Sequence, residues 1–246
     1  MINIKTKQEI EIMREGGKIL ADILRKLVGA AKPGIETNNL EILARELIEE
    51  RGIKASFLGY GGFPAVLCTS INDEIVHGVP SNRKLVDGDV LKLDIGIQHK
   101  GFHTDTATTV IVGDAKDVQK QKLLNTTREC LSIGIAKAQI GNTIGDIGHA
   151  IQKFAESNGY NVIRDLIGHG IGRELHEMPE VPNFGDKGTG PELVEGMVIA
   201  IEPMLVTGDW RIKEKGHVFI TKDRCLAAHF EHTVAITKSG PDVLTK

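Results

Sequence analysis

Apolar residues recur at helical spacing near the start of the chain. Ile10, Met13, Leu20, Leu24 and Leu27 follow Thr6-Lys-Gln-Glu9, which predicts an amphipathic helix opened by a capping box. A second helix is predicted from Thr37, with Leu40, Leu43, Ala44, Leu47 and Ile48 as its apolar positions and Gly52 as its stop. Strand-like runs follow at Ala65 to Ile71, Val90 to Ile97 and Thr104 to Val112. Two further helical stretches, at 116–139 and 143–158, lead to strand-like runs at 197–206, 217–221 and 226–236.

The order helix, helix, strands therefore occurs twice, and the two passes correspond in detail. Gly34 and Gly52 bracket the helix of one pass at the same separation as Gly141 and Gly159 in the other. Val86-Asp-Gly-Asp-Val-Leu-Lys-Leu-Asp94 parallels Val194-Glu-Gly-Met-Val-Ile-Ala-Ile-Glu202, so that an acid ends an apolar strand at the same distance from a turn glycine. Asp105-Thr-Ala-Thr-Thr-Val110 has its counterpart in Glu231-His-Thr-Val-Ala235. Apolar strands of one period resemble each other by chance, but matched acids at matched strand ends do not. The pattern predicts an α+β fold with internal pseudo-twofold symmetry, a single domain over residues 1–246 with two similar halves, and four carboxylates meeting between them.

Composition narrows the function. The chain has 246 residues, 41% of them hydrophobic and 26% charged, as expected of a soluble globular protein. A net charge of -3 gives no electrostatic case for sequence-specific nucleic acid binding. Three scattered cysteines, Cys68, Cys130 and Cys225, form neither a disulfide framework nor a thiolate metal site. With no signal-peptide core at the N-terminus and no membrane-length apolar run, a cytoplasmic location is expected.

Asp94 and Asp105 flank an expected hairpin turn near His99-Lys100-Gly101. Carboxylates are costly in apolar strands, and clustered ones repel each other and take up protons. Any one of Asp94, Asp105, Glu202 and Glu231 is explained by an outward-facing side chain or a Lys or Arg partner; all four together call for a cation. His169, in Leu166-Ile-Gly-His-Gly-Ile-Gly172, supplies a nitrogen where glycines allow close backbone approach. One nitrogen and four carboxylates suit two divalent ions such as Co, Mn, Fe or Zn. Two such ions share and activate a water for amide or ester hydrolysis.

Competing motifs fail. The Gly-x-Gly-x-Gly frame around His169 is followed by Pro179 and Pro182 rather than a phosphate-binding helix. His176-Glu177 begins like a zinc-protease motif, but position 180 is Glu and Pro179 interrupts the helix that motif needs. No Gly-x-Ser-x-Gly elbow is present.

Asn72-Asp-Glu-Ile-Val-His-Gly-Val-Pro80, Leu93-Asp94 through Asp105-Thr106, Gly168-His-Gly-Ile-Gly-Arg-Glu-Leu-His176, Ala200-Ile-Glu-Pro203 and Phe230-Glu-His-Thr233 closely resemble the type I methionine aminopeptidases, over essentially the whole chain. The resemblance implies the "pita-bread" fold, an antiparallel sheet with helices packed on one face. It implies removal of the initiator methionine from nascent proteins whose next residue is small. It assigns Asp94 and Asp105 to one metal, and Asp105, His169, Glu202 and Glu231 to the other, with Glu202 also shuttling a proton. His77 and His176 match the family's two non-ligand histidines, which contact the scissile amide and its carbonyl oxygen. Tyr60, Phe63 and Cys68 fall in segments resembling the methionine pocket. Transient ribosome contact and a monomeric state are further expectations.

The chain departs from the family at Leu175, where many members carry Phe, and at Gly216-His217-Val218-Phe219, where a Trp is common. A first helix that begins at once, and a short stretch from His176 to Glu202, resemble the short type I form, without a zinc-binding extension or the type II insertion. Two rival readings remain: a proline-directed aminopeptidase on the same fold, and a binding module that has lost its metals.

Overall fold

The capping box at Thr6 forms as predicted. Thr6 Oγ1 accepts from the Glu9 amide at 3.3 Å and Glu9 Oε2 accepts from the Thr6 amide at 2.8 Å, opening helix α1 (Lys7–Ala30). Helix α2 (Thr37–Glu50) starts at the expected residue, and Gly52, at φ +61°, lies just beyond its end where a left-handed residue is needed. The computed structural model describes residues 2–246. After α2 come β1 (Lys54–Ala55), β2 (Leu67–Ile71), β3 (Glu74–Val76), β4 (Val90–His99) and β5 (Phe102–Ile111). Helices α3 (Val118–Lys137) and α4 (Ile144–Ser157) follow, the latter with its own capping box between Thr143 and Asp146. The second half continues with β6 (Asn161–Val162), β7 (Gly168–Gly170), β8 (Glu177–Val181), β9 (Val198–Ile201) and β10 (Met204–Val206). It ends with β11 (Ile212–Lys215), β12 (Val218–Thr221), β13 (Ala227–His229), β14 (Glu231–Thr237) and β15 (Gly240–Val243).

The main sheet runs β1-β4-β5-β14-β9-β7-β8, with β2 added against β4 and β15 against β14. Its pairings are antiparallel. The order reads alike outward from the middle, since β5 and β14 are neighbours and β4 and β9 flank them. The acid-bearing segments paired in sequence therefore occupy paired positions in the sheet. β4 and β5 form a two-residue hairpin through Lys100 (φ +48°) and Gly101 (φ +84°), as the sequence suggested.

Strand period two explains how β4 serves two layers. Leu91, Leu93, Ile95 and Ile97 join Leu20, Ile23, Leu24 and Leu27 of α1 and Leu40, Ala44 and Leu47 of α2 in one apolar core. The intervening Lys92, Asp94 and Gly96 face the opposite side. A second core joins Leu123, Leu124 and Leu131 of α3 and Ile147 and Ile151 of α4 to Ile199, Ile201, Val234 and Ile236.

Two expected strands are each divided. The run at 197–206 breaks at Glu202-Pro203, between β9 and β10, and the run at 226–236 breaks at Phe230, between β13 and β14. Pro203 has no N–H to continue a ladder. β10 and β13 instead pair with each other in a separate three-stranded sheet with β6. The chain thus crosses between sheets twice, side by side, with Phe230 N donating to Pro203 O. Strands β1, β3, β6, β7, β8, β11 and β15 lie outside the strand-like runs of the sequence. Most are only two to four residues long, and glycine, proline or lysine falls in several of them, so they carry little strand signal. No helix among the described residues is long and apolar enough to cross a membrane.

Helix α1 lies against the C-terminal segment after β15 so closely that a Cβ on Gly17 would overlap the Leu244 carbonyl, whereas a Cβ on Gly29 meets nothing. Gly17→Ala is expected to lower stability by about 1–3 kcal/mol through overpacking. Gly29→Ala is expected to raise it by roughly 0.5–1 kcal/mol through helix propensity. Thermal unfolding of the two variants beside the parent chain checks both; equal shifts would refute this account of the α1 contact.

Candidate active site

Register brings the acids together. Asp94 on β4 stands opposite Ala107 on β5, and Ala107 stands opposite Glu231 on β14. His232 pairs with Ile201, so the next position along places Glu202 beyond the end of β9, level with Glu231. Asp105 lies two residues from Ala107 on the same face, opposite Gly96. One row across four strands thus carries Asp94, the small Ala107, Glu231 and Glu202, with Asp105 adjoining. His169 on β7 completes the group: ligand atoms of Asp105, His169 and Glu231 lie within 4.8 Å of one another. Nε2 of His169 is 3.7 Å from Oε1 of Glu202.

Burial makes this arrangement electrostatically uncomfortable. Asp94, Asp105 and Glu231 are all less than a tenth exposed. Loss of solvent, reinforced by the neighbouring carboxylates, raises Asp94, Glu202 and Glu231 well above the usual carboxylate range. Loss of solvent also raises Asp105. Asp94 Oδ1 and Asp105 Oδ1 are buried with no hydrogen-bond partner among the described residues. Buried polar oxygens are normally paired. Orphaned carboxylate oxygens converging with an imidazole fit a divalent cation.

His169 is prepared for such a role. Its Nδ1 lies 2.9 Å from the Gly170 carbonyl, which can only accept, so the proton sits on Nδ1 and the Nε2 lone pair is free. Burial lowers its pKa to about 3, which keeps the ring neutral.

The candidate substrate residues line the same space. A cavity of about 260 Å³ is walled by Phe57, Tyr60, Phe63, Cys68, Leu175 and His217, and its floor holds Asp94, Asp105, His169, Glu202 and Glu231. Cys68 stands opposite Asp94 in the β2–β4 ladder, and its buried thiol is pushed up by loss of solvent and the nearby acids. His77 and His176 border this cavity and a second one of about 440 Å³, which runs past Val76, Leu166, Ile167 and Met178. His77 sits at φ +58°, and burial of its ring lowers its pKa to about 4. His176 Nδ1 is held 2.6 Å from the Tyr60 hydroxyl and stacks edge-on to His169 at 4.2 Å between ring centroids. Every residue singled out in the sequence therefore faces one cavity. Its mouth carries His217 edge-on to Phe63, at 5.6 Å.

Sequence reasoning passed over three residues here: Phe57, Lys92 and His229. Phe57 carried no signal beyond being aromatic. Lys92 is fully buried two residues before Asp94, and its Nζ donates to the carbonyls of Asn72 (2.8 Å), Val90 (3.3 Å) and Ala227 (3.2 Å). A lysine within Leu91-Lys-Leu93-Asp94, pointing the same way as Asp94, was the available signal. It ties β4 to the two segments beneath the acids. Lys92→Met is expected to remove three hydrogen bonds, leaving the Asn72 and Val90 carbonyls only the bonds they accept from the Ala227 and Asn72 amides, and to lower stability by about 1–3 kcal/mol. Chemical denaturation of the metal-free protein measures this; an unchanged midpoint would show that the three bonds contribute nothing.

The raised carboxylate pKa values predict a proton-coupled ion affinity. An acid whose folded pKa is raised keeps its proton in the fold at pH values where the unfolded chain has lost it. The metal-free fold therefore loses stability as pH rises from the unfolded values near 4 toward the raised ones. A cation displaces those protons. Mn(II) should bind more weakly at pH 6 than at pH 8 and release protons on binding. Calorimetry in buffers of different ionisation enthalpy checks this, and binding without proton release would contradict it.

The sequence profile of metallopeptidase family M24 matches residues 11–238. Among curated relatives, a methionine aminopeptidase of Clostridium acetobutylicum is 48% identical, the alignment covering 100% of this chain and 99% of that one. Methionine aminopeptidase 1 of Bacillus subtilis is 44% identical over the whole of both chains. Crystal structures of methionine aminopeptidases from Rickettsia prowazekii (37% identity) and Thermotoga maritima (44%) superpose with TM-scores of 0.97, each covering 100% of both chains. A prolidase from Pyrococcus furiosus shares only the fold, at 23% identity and a TM-score of 0.78, and this chain spans 65% of it. The chain belongs to metallopeptidase family M24 and, within it, to the methionine aminopeptidases, with their curled antiparallel sheet and α+β "pita-bread" architecture.

Proposed function

We propose that this chain removes the N-terminal methionine from peptides and nascent proteins, preferentially when the second residue is small. The observation that carries this reading is the cavity itself. An apolar pocket of Phe57, Tyr60, Phe63, Cys68 and Leu175 opens directly onto the acids and His169. An unbranched thioether side chain suits such a pocket, since it adapts to irregular apolar walls.

Asp94, Asp105, His169, Glu202 and Glu231 are proposed to hold two divalent ions, which when bound lower the pKa of a shared water and supply a nucleophile at neutral pH. Glu202, at the end of β9 and least buried of the four acids, is proposed to take up and pass on the proton of that water. His176, oriented by Tyr60, and His77, on its left-handed loop, would donate to the scissile amide and its carbonyl oxygen as charge develops there. Both border the second cavity, where the residue after methionine would lie. The same proposal includes a cytoplasmic location, a monomeric state and transient contact with the ribosome, where such substrates emerge.

The decisive experiment compares Met-Gly and Met-Leu leading peptides, and Leu-leading ones, with the parent chain and Asp105→Ala in the presence of Mn(II) or Co(II). The parent should release methionine fastest from Met-Gly peptides, and Asp105→Ala should lose at least roughly 10²-fold in kcat, since it removes an acid shared by both ion positions. Unchanged activity in the variant would overturn the mechanism. Comparable release from Leu-leading peptides would show that Leu175 and His217 broaden the pocket. Cation content near zero in unchelated protein, with no ion-dependent activity, would favour a binding module instead.

A further inference from the structure

His229 has no place in the proposed chemistry, yet it is among the most completely buried polar residues of the chain, 1% exposed. Both ring nitrogens are buried without a hydrogen-bond partner among the described residues. A buried ring nitrogen left without a partner is destabilising. Its backbone is fixed: the amide donates to Thr109 Oγ1 at 2.9 Å, the Thr109 hydroxyl donates back to its carbonyl at 2.5 Å, and it pairs with Met204 in the β10–β13 ladder. The ring is thereby aimed across the point where the chain crosses between sheets, and its Nε2 comes to 3.6 Å from Oε2 of Glu202.

The Glu202 carboxylate consequently stands between two imidazoles, with Oε1 toward His169 at 3.7 Å and Oε2 toward His229 at 3.6 Å. His169 keeps its proton on Nδ1, so its Nε2 has nothing to donate. Of the two rings, only His229 can offer Glu202 a proton donor. Lys92 is not that donor, because its Nζ is directed at three carbonyls. A carboxylate that binds an ion through one oxygen is well fixed when its other oxygen accepts a hydrogen bond.

We infer that His229 is a positioning residue for Glu202: its Nε2–H donates to Oε2 and leaves Oε1 directed toward His169, with which it would hold a cation. The inference rests on the reading of Glu202 as an ion ligand. It makes His229 a supporting group that neither binds the ion nor touches the substrate. A small rotation of either side chain closes 3.6 Å to hydrogen-bond distance.

The test uses His229→Leu, which keeps the bulk and removes the donor, and His229→Gln, whose amide restores a donor. Mn(II) titration calorimetry and steady-state kinetics are run on both, on the parent chain and on Glu202→Gln. His229→Leu should weaken Mn(II) binding and lower kcat by roughly 10–100-fold each, with KM little changed, whereas His229→Gln should recover most of both. Parent-like binding and kcat in His229→Leu would overturn the inference, as would equal impairment of the two variants. Parent-like Mn(II) affinity in Glu202→Gln would remove the reading of Glu202 itself, which separates that failure from one confined to His229. Should His229→Leu not fold, nitrogen-15 NMR of histidine-labelled, Zn(II)-loaded parent chain, with the His229 signal assigned by its loss in His229→Gln, decides the matter. A proton on Nε2 supports the inference and a proton on Nδ1 refutes it.

Discussion

Four carboxylates on one face of one sheet repel each other, and much of this structure is arranged around holding them there. Asp94, Asp105 and Glu231 are buried together, Asp105 and Glu231 beside His169, and Asp105 raises the proton affinity of Asp94, Glu202 and Glu231. Such a cluster does not arise from apolar packing, which would expel it. It needs backbone too rigid to relax. β4 and β5 are long, paired along their whole length, and backed by the α1 and α2 core. Lys92 adds a cross-tie from beneath. Rigidity here resists the spreading that would relieve repulsion, so the energy of the cluster is available to whatever cation neutralises it.

Much of this was legible in the sequence, and the limits have physical causes. The helices α1, α2 and α4 announce themselves through caps and 3.6-residue spacing, and β4 and β5 through apolar runs around a Lys-Gly turn. The four acids and His169 stood out because charge in apolar strands needs an explanation. What could not be read was register. That Ala107 lies between Asp94 and Glu231 depends on which residue pairs with which across strands far apart in sequence, and period-two patterns do not specify it. The breaks at Pro203 and Phe230 were hidden for a related reason, since a run of apolar residues reads the same whether it stays in one sheet or crosses to another. His229 was overlooked with them. In an unbroken strand it is one more inward residue; at a crossing it is aimed at Glu202.

The two crossings explain why the second half carries more of the polar machinery. In the first half β4 and β5 continue past their acids, so Asp94 and Asp105 are held by strand pairing on both sides. In the second half Glu202 lies where β9 has ended and Glu231 where β14 begins, with β10 and β13 leaving together for the smaller sheet. A carboxylate at a strand end has more freedom than one within a ladder. That freedom suits a group proposed to move a proton, but it requires a neighbour to limit it. Asn183, donating to the Glu202 carbonyl at 3.1 Å, restrains the backbone, and His229 is placed to restrain the side chain.

Pseudo-symmetry therefore ends where chemistry requires a difference. Beside Asp94 the flanking strand offers Cys68, and with Phe57, Tyr60 and Phe63 it builds an apolar wall. Beside Glu202 the flanking strand offers His169, with His176 stacked on it. One half contributes the surface against which an uncharged side chain can rest, and the other contributes the nitrogens. Of the two ions proposed above, one near Asp94 would meet oxygen alone and one near Glu202 oxygen and nitrogen, so the proposed positions would differ in affinity and acidity. A substrate lying across the row from the apolar wall toward His176 would bring its amide between those unequal positions. The doubled fold supplies the paired carboxylates, and the departures from doubling give the site its direction.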